Sequence, residues 1–520
     1  MSDWSQVRGL PDQRLEALFA GNPERLAALT ADVAGIHFDW SKTHLTPTAI
    51  AQFAALAGEM DFAAKRDALF GGKAINNTEG RAAEHSAERG EGAPASVARA
   101  RAEHARMRAL VEEIDAGTFG PIRHILHIGI GGSALGPDLL IDALADEVGR
   151  YDIAVVSNVD GMALQTVIDR FDPQATLVAI ASKTFTTTET LLNARSALQW
   201  LAWGGVEDPK SRVIALTAAP DSAREWGVDP ARILPFSESV GGRYSLWSSI
   251  GFPVALALGW DAFAELLEGA AEMDRHFRAA PLARNAPVLA AFADLYYTQV
   301  RGCETRATFA YDQRLALLPS YLQQLEMESN GKRVTAEGEP VSYPTAPITW
   351  GGVGTDAQHA VFQLLHQGTR LVPVEFVGVV ERGDGLAEDH HRQLLLNMFA
   401  QGAALMAGKH SDDPARSYPG DRPSSTLLLD RLDPRTLGAL IAFYEQRTFV
   451  NAVLLGINPF DQFGVELGKA MAKAAEAGGQ DFDISTADLI ARAFGSTARD
   501  VADQATFEEI CLRELMGEAD

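Results

Sequence analysis

Residues 124–137 read HILHIGIGGSALGP. A short apolar run over 124–130 has strand character, a glycine-rich turn follows it, and a helix opens at Pro137. The same order recurs downstream. Strands are predicted over 153–157, 176–181 and 213–217, each separated from the next by a helical segment. Such alternation points to a parallel, doubly wound sheet covered on both faces. A helical stretch over 252–297 closes this unit, and the alternation then restarts. Strands over 307–311, 347–351, 371–380 and 426–429 interleave with helices over 314–329, 357–366, 392–406 and 437–445. The expected fold is α/β, with two doubly wound parallel-sheet domains. Residues 1–115 read as a helical N-terminal arm and 116–285 as the first domain. The second domain takes 286–480, and 481–520 reads as a helical C-terminal tail.

Composition narrows the class. The chain has 520 residues, 47% of them hydrophobic, enough for large buried cores. Its formal net charge is −24 and no Lys/Arg run forms a basic patch, which argues against nucleic-acid partners. An acidic protein that binds an anion must build a local positive pocket against its own field, so cations beside glycine- or hydroxyl-rich turns carry extra weight. The two cysteines, Cys303 and Cys511, have neither metal spacing nor a disulfide framework. The first residues hold acids and no apolar signal core, and no apolar run is long enough to span a bilayer. A cytoplasmic protein without membrane partners is expected.

Two turns suggest anion binding. The stretch 129–136, GIGGSALG, lies between a strand and a helix, where backbone N–H groups and the helix dipole can cradle a phosphate. It also matches the dinucleotide pattern GxGxxA at Gly129, Gly131 and Ala134. That reading wants an acid about 20 residues on, and Asp160 comes late. A tight turn without ligand is the plain alternative. Residues 182–190, SKTFTTTET, follow the third strand and offer six hydroxyls and a lysine in nine positions. A helix cap needs one hydroxyl, whereas a phosphate monoester offers several acceptor oxygens. Residues 240–251, VGGRYSLWSSIG, put Arg243 after two glycines, suited to a guanidinium facing an anion.

Residues 321–334, YLQQLEMESNGKRV, supply a candidate base. Leu318, Leu322 and Leu325 mark a buried helix face, Gln324 and Glu328 share another, and Asn330-Gly331 ends the helix. A carboxylate in that last turn faces the negative end of the dipole and is a better proton acceptor for it. Glu326, out of phase, reads as structural. In 354–369, GTDAQHAVFQLLHQGT, His359 lies near the helix start, with His366 seven residues on. His390-His391 lacks a third ligand at useful spacing and reads as a solvated turn. In 461–470, DQFGVELGKA, Gln462 and Lys469 are seven apart, and Lys469 sits among apolar neighbours. A snorkelling surface lysine is the plain alternative.

These motifs, in this order, resemble the glucose-6-phosphate isomerase (phosphoglucose isomerase) family, from about Phe38 to Lys469. TEGR at 78–81 and FDWSK at 38–42 are also similar. The resemblance implies two sugar-isomerase (SIS) domains, a homodimer, and reversible conversion of glucose 6-phosphate and fructose 6-phosphate without cofactor or metal. It implies Glu328 as the base moving a proton between C1 and C2, and Arg243 as the cation beside the cis-enediolate. His359, reaching in from the other subunit, and Lys469 would assist ring opening. Ser182, Lys183, Thr184 and Thr187 would hold the phosphate, with Gly132, Ser133, Gln324 and Gln462 lining the site. The alternative is a non-catalytic sugar-phosphate-binding SIS protein, which needs the hydroxyl-rich loop but not Glu328, His359 or Lys469. A nicotinamide enzyme would rest on GxGxxA alone.

Overall fold

The computed structural model describes residues 4–10, 13–144, 150–476 and 482–494. The chain divides into two compact units, Met1–Phe460 and Asp461–Asp520. The first unit carries two sheets. Strands β1 (Thr30–Val33) and β2 (Ile36–Asp39) come from the N-terminal region. Next are β3 (His124–Gly129), β4 (Asp152–Val156), β5 (Thr176–Ala181), β6 (Val213–Thr217) and β7 (Ile233–Pro235). The later strands are β8 (Thr305–Tyr311), β9 (Ile348–Val353), β10 (Val374–Val379) and β11 (Ser424–Leu429).

One sheet has the order β4-β3-β5-β6-β7 and is parallel throughout. Its central strands are buried on both faces, which is why β5, TLVAIA, shows no polar alternation. The chain steps from β3 to β4, then crosses back to place β5 on the other side of β3. The two loops leaving β3 and β5 therefore diverge, and the crevice between them is the natural ligand position in such a sheet.

The other sheet has the order β1-β2-β11-β10-β8-β9. Strands β8 to β11 are parallel, and the β1–β2 hairpin adds antiparallel to β11. Residues 1–115 are thus not purely helical. Ala34 and Gly35 both take positive φ, 51° and 76°, the geometry of a two-residue hairpin turn. Ile36 and Phe38 alternate inward against the core while His37 and Asp39 stay half-buried.

A nearly all-buried helix, Pro434–Leu455, runs through the interior and packs on Trp260–Ala279 and Ala286–Leu295. It opens with a capping box between Asp433 and Thr436. Its polar residues face one another across the core. Arg447 donates from Nη1 to Glu375 Oε2 (2.6 Å) and from Nη2 to Glu326 Oε1. Arg306, on β8, reaches Asp294 Oδ1 (2.6 Å) and the other Glu326 oxygen, which also accepts from Thr349 Oγ1 at 2.7 Å. Burial alone would raise the Glu326 carboxyl, but the two guanidiniums outweigh it and the net shift is downward.

In the second unit the described helices are Glu466–Glu476 and Ile484–Phe494. The expected tail over 481–520 falls in this unit. Its residues from 495 on, with Cys511, lie outside the described residues. No helix among the described residues is long and apolar enough to cross a membrane.

Replacing Arg447 by Ala leaves Glu326 and Glu375 buried with a charge removed between them, at a cost of about 3–5 kcal/mol. The thermal midpoint of Arg447→Ala should fall by several degrees in calorimetry. An unchanged midpoint would show that the cluster contributes no net stability.

Candidate active site

The turn after β3 is built by close approach. Gly131 has φ +58°, and a Cβ there would lie 2.8 Å from Gln324 Nε2. A Cβ on Gly132 would lie 2.2 Å from the Gly242 carbonyl and 2.5 Å from the Arg243 nitrogen. Only glycine lets this turn rest against the 242–243 backbone. From below, buried His127 on β3 donates from Nε2 to the Ser133 carbonyl at 2.7 Å. Burial pushes its imidazole down to about 4, so the ring is a neutral donor that fixes the turn. Gly132 and Ser133 are half-buried at the crevice. Asp160, the acid a dinucleotide reading would need, accepts instead from the Met162 amide at 3.0 Å and caps the helix Gly161–Ile168.

The loop after β5 borders the other side. Ser182 Oγ shares a hydrogen bond with Thr187 Oγ1 (3.1 Å) and accepts from the Phe185 amide (3.1 Å). Thr184 and Thr186 pair through their hydroxyls at 2.7 Å. Thr187 stands at the N-cap of the 16-residue helix Thr188–Trp203, yet its side chain makes no capping bond. A cluster of hydroxyls therefore lies beside the dipole's positive end without capping it. Phe185 holds φ +54°, costly for a bulky residue by about 1–3 kcal/mol. Its buried ring packs edge-on against Trp226, which holds the backbone there.

Lys183 does more than face the loop. Its ammonium donates to the carbonyls of Glu238 (2.8 Å) and Val240 (2.9 Å), tying the loop to the segment leading into Arg243. Burial, then Arg81 nearby, push it down to about 8, with Glu79 and Glu238 opposing. Arg81 and Glu79 belong to the TEGR turn, which Asn458 fastens through Asn76 Oδ1 (2.9 Å) and Thr78 Oγ1 (2.7 Å).

Arg243 is 3% exposed, not a surface loop residue. Nε donates to Ser329 Oγ at 2.6 Å, Nη2 donates to the Pro459 carbonyl, and Nη1 lies 3.2 Å from Glu328 Oε1. Ser329 Oγ also shares a hydrogen bond with the Tyr244 hydroxyl at 2.9 Å. Glu328 closes a π-helical turn, Gln323–Glu328, that follows the helix Leu318–Leu322. The wider turn rephases the side chains: Glu326 enters the buried ion cluster, while Glu328 is half-buried beside Arg243. Lys332 Nζ donates to the Glu328 carbonyl at 2.8 Å. The structure thus brings together the β3 turn, Gln324, Glu328 and Arg243.

The predicted histidines have other surroundings. The helix 357–366 expected for the histidines is broken at Val361 into Gly354–Ala360 and Phe362–Gln367. His359 consequently lies in the last turn of a seven-residue helix and is exposed, rather than near the start of a long one. It opens on a cavity of about 610 Å³ shared with His366 and Tyr418. His366 is structural, donating from Nε2 to Gln401 Oε1 at 2.8 Å. His390 and His391 are in the first turn of the helix Glu388–Ala407, not in a free turn, and His391 bonds the Val380 carbonyl at 2.9 Å. Gln462 and Lys469 lie in the second unit, both exposed, with Lys469 on the helix Glu466–Glu476. No group of three or more His, Cys, Asp or Glu among the described residues could hold a metal ion. Ser329, Tyr244 and Arg81 escaped the sequence reading. Ser329 carried the clearest signal, a hydroxyl between Glu328 and Asn330 at a helix end.

Comparisons with known proteins bear on the chain as a whole. A family profile described as phosphoglucose isomerase matches residues 39–490. A glucose-6-phosphate isomerase of Rhizorhabdus wittichii is 71% identical over 493 residues, covering 95% of this chain and 99% of that protein. That of Zymomonas mobilis is 63% identical, covering 94% and 97%. Among solved structures, a glucose-6-phosphate isomerase from Chlamydia trachomatis superposes with a TM-score of 0.85 at 30% identity, covering 93% and 96%.

The lysine gives a pH test. Burial holds the folded Lys183 ammonium down to about 8, below its ordinary 10.5. Between these values the unfolded chain binds the extra proton, so this group makes stability rise with pH across that window. The thermal midpoint of wild type should climb relative to Lys183→Met between pH 8 and 10. A pH-independent difference would show that Lys183 is not desolvated.

Proposed function

The chain belongs to the phosphoglucose isomerase family, and on that premise we propose that Glu328 and Arg243 form the proton-transfer centre of its site. The reaction is the reversible aldose–ketose conversion of glucose 6-phosphate and fructose 6-phosphate, a step of glycolysis and gluconeogenesis. The observation that carries the residue assignment is the 3.2 Å approach of Arg243 Nη1 to Glu328 Oε1. A base that takes the C2 proton leaves negative charge on the C1–C2 enediolate. A buried cation beside that base stabilises the charge where it appears.

The phosphate is remote from the reacting carbons. Its role is to supply binding energy that places C1 and C2 under the base. Ser182, Thr184 and Thr187 offer hydroxyls at the N-terminus of a long helix, and Lys183 adds charge, a donor set matched to a phosphate monoester. Gly132, Ser133 and Gln324 line the opposite wall of this reading. Ring opening needs a proton given to the ring oxygen and one taken from the anomeric hydroxyl. We assign it to His359 and Lys469, and assign Gln462 to substrate binding. The exposure of His359 in the single chain fits its entry into the site of a second copy, so a cytoplasmic homodimer with shared sites belongs to the proposal. The four-part division at residues 115, 285 and 480 is retained with it.

Glu328→Gln should lower kcat by roughly 10²–10⁴-fold. A coupled assay run from fructose 6-phosphate reads this, with calorimetric titration showing sugar-phosphate affinity nearly kept. Loss of binding with kcat intact would move Glu328 out of the chemistry.

A further inference from the structure

Ser329 directly follows Glu328 and is fully buried. Serine is a poor residue for a helix interior, and where it occurs its hydroxyl commonly turns back to a carbonyl one turn earlier. Here the hydroxyl serves other partners. It accepts from Arg243 Nε at 2.6 Å and shares a hydrogen bond with the Tyr244 hydroxyl at 2.9 Å. A hydroxyl has one proton and two lone pairs, so both contacts can be met at once.

The geometry of the guanidinium gives this contact its consequence. The group is planar, with its donors in a fixed fork. Nη2 is held by the Pro459 carbonyl and Nε by Ser329. Two anchored nitrogens fix the plane, and the third, Nη1, is then aimed at Glu328 Oε1. The Arg243 side chain also hydrogen-bonds Tyr244, and loss of the Ser329 hydroxyl removes the contact that holds its Nε edge. Ser329 and Glu328 are also consecutive on one backbone. A single peptide therefore carries both the carboxylate and the anchor of the cation opposite it.

We propose that Ser329 is a positioning residue for the isomerisation, orienting Arg243 so that its charge meets the negative charge developing on the substrate. This rests on the assignment of Glu328 and Arg243 above. Ser329 touches neither substrate nor reacting atoms; it acts through Arg243. Removing its hydroxyl should therefore cost transition-state stabilisation more than substrate binding.

The test uses the full chain. In the coupled assay Ser329→Ala should lower kcat about 10-fold or more with KM within about 3-fold, the pattern of an interaction realised in the transition state. Placed in an Arg243→Ala background, Ser329→Ala should add almost nothing, because the two residues act as one unit. Binding of two unreactive ligands supplies a readout that a merely structural serine would not move. Arabinonate 5-phosphate carries a carboxylate where the enediolate charge develops, and glucitol 6-phosphate is neutral there. Ser329→Ala should weaken the first about 10-fold and leave the second within about 2-fold, as for loss of one charge-directed contact. Ser329→Thr, which keeps a hydroxyl, should restore the preference for the charged ligand. Unchanged kcat, or equal weakening of both ligands, would overturn the assignment of Ser329. Absence of turnover in the wild-type chain would count against the isomerase reading instead, and the two-ligand comparison would still judge Ser329.

Discussion

A buried carboxylate has to be paired, and the pairing of Glu326 organises this molecule. Its two oxygens take Arg447 from the central helix, and Arg306 from β8 with Thr349 from β9. Arg447 in turn holds Glu375 on β10, whose other oxygen accepts from Tyr444 at 2.9 Å. Arg306 reaches Asp294 on the helix Ala286–Leu295. Three carboxylates and two guanidiniums therefore join two helices, one sheet and the π-helical turn. Apolar packing could join these elements as well, but it would not select a rotational phase for the turn. The ion pairs do, because Glu326 must face inward, and Glu328 two residues on is then carried towards Arg243. The stabilising cluster and the proposed catalytic base meet in six residues of chain.

Around that fixed point the protein works against its own charge. The chain carries a net −24, yet Lys183, Arg81 and Arg243 gather near the crevice of the parallel sheet. Their closeness is visible in the depressed lysine: burial dominates, and the neighbouring guanidiniums add to it. On the proposed assignment, a dianionic phosphate entering this region would relieve that repulsion, and local charge would favour phosphorylated sugars over free ones. Backbone contact does the rest. Gly132 rests on the Gly242 carbonyl, so the β3 turn and the Arg243 turn cannot move independently.

The alternation of strands and helices was plain in the sequence because parallel strands buried on both faces leave continuous apolar runs, as in TLVAIA and HILHIG. The β1–β2 hairpin was not, since its turn is Ala34-Gly35 rather than Asn-Gly and its strands have four residues each. Leu318, Leu322 and Leu325 are fully buried, as their helical spacing predicts. The π-helical turn is invisible to a 3.6-residue period, and with it the division of labour between Glu326 and Glu328 acquires its physical cause. His359 shows the opposite limit: a helix read as continuous breaks at Val361, and no proline or glycine marks the break. Lys183 was legible as a cation near hydroxyls, but its bonds to two carbonyls 55 and 57 residues away depend on the fold alone. Ser329 lay within a quoted motif and became informative only once Arg243 was found against it.

The central claim is that a protein base moves a proton between C1 and C2. Running the reaction to equilibrium in tritiated water measures it directly. Proton transfer through Glu328 predicts tritium at C2 of the recovered glucose 6-phosphate, with incorporation by Glu328→Gln slowed as much as its turnover. Isomerisation at the wild-type rate with no solvent tritium at C2, and with label moving intact from C2 to C1, would contradict it.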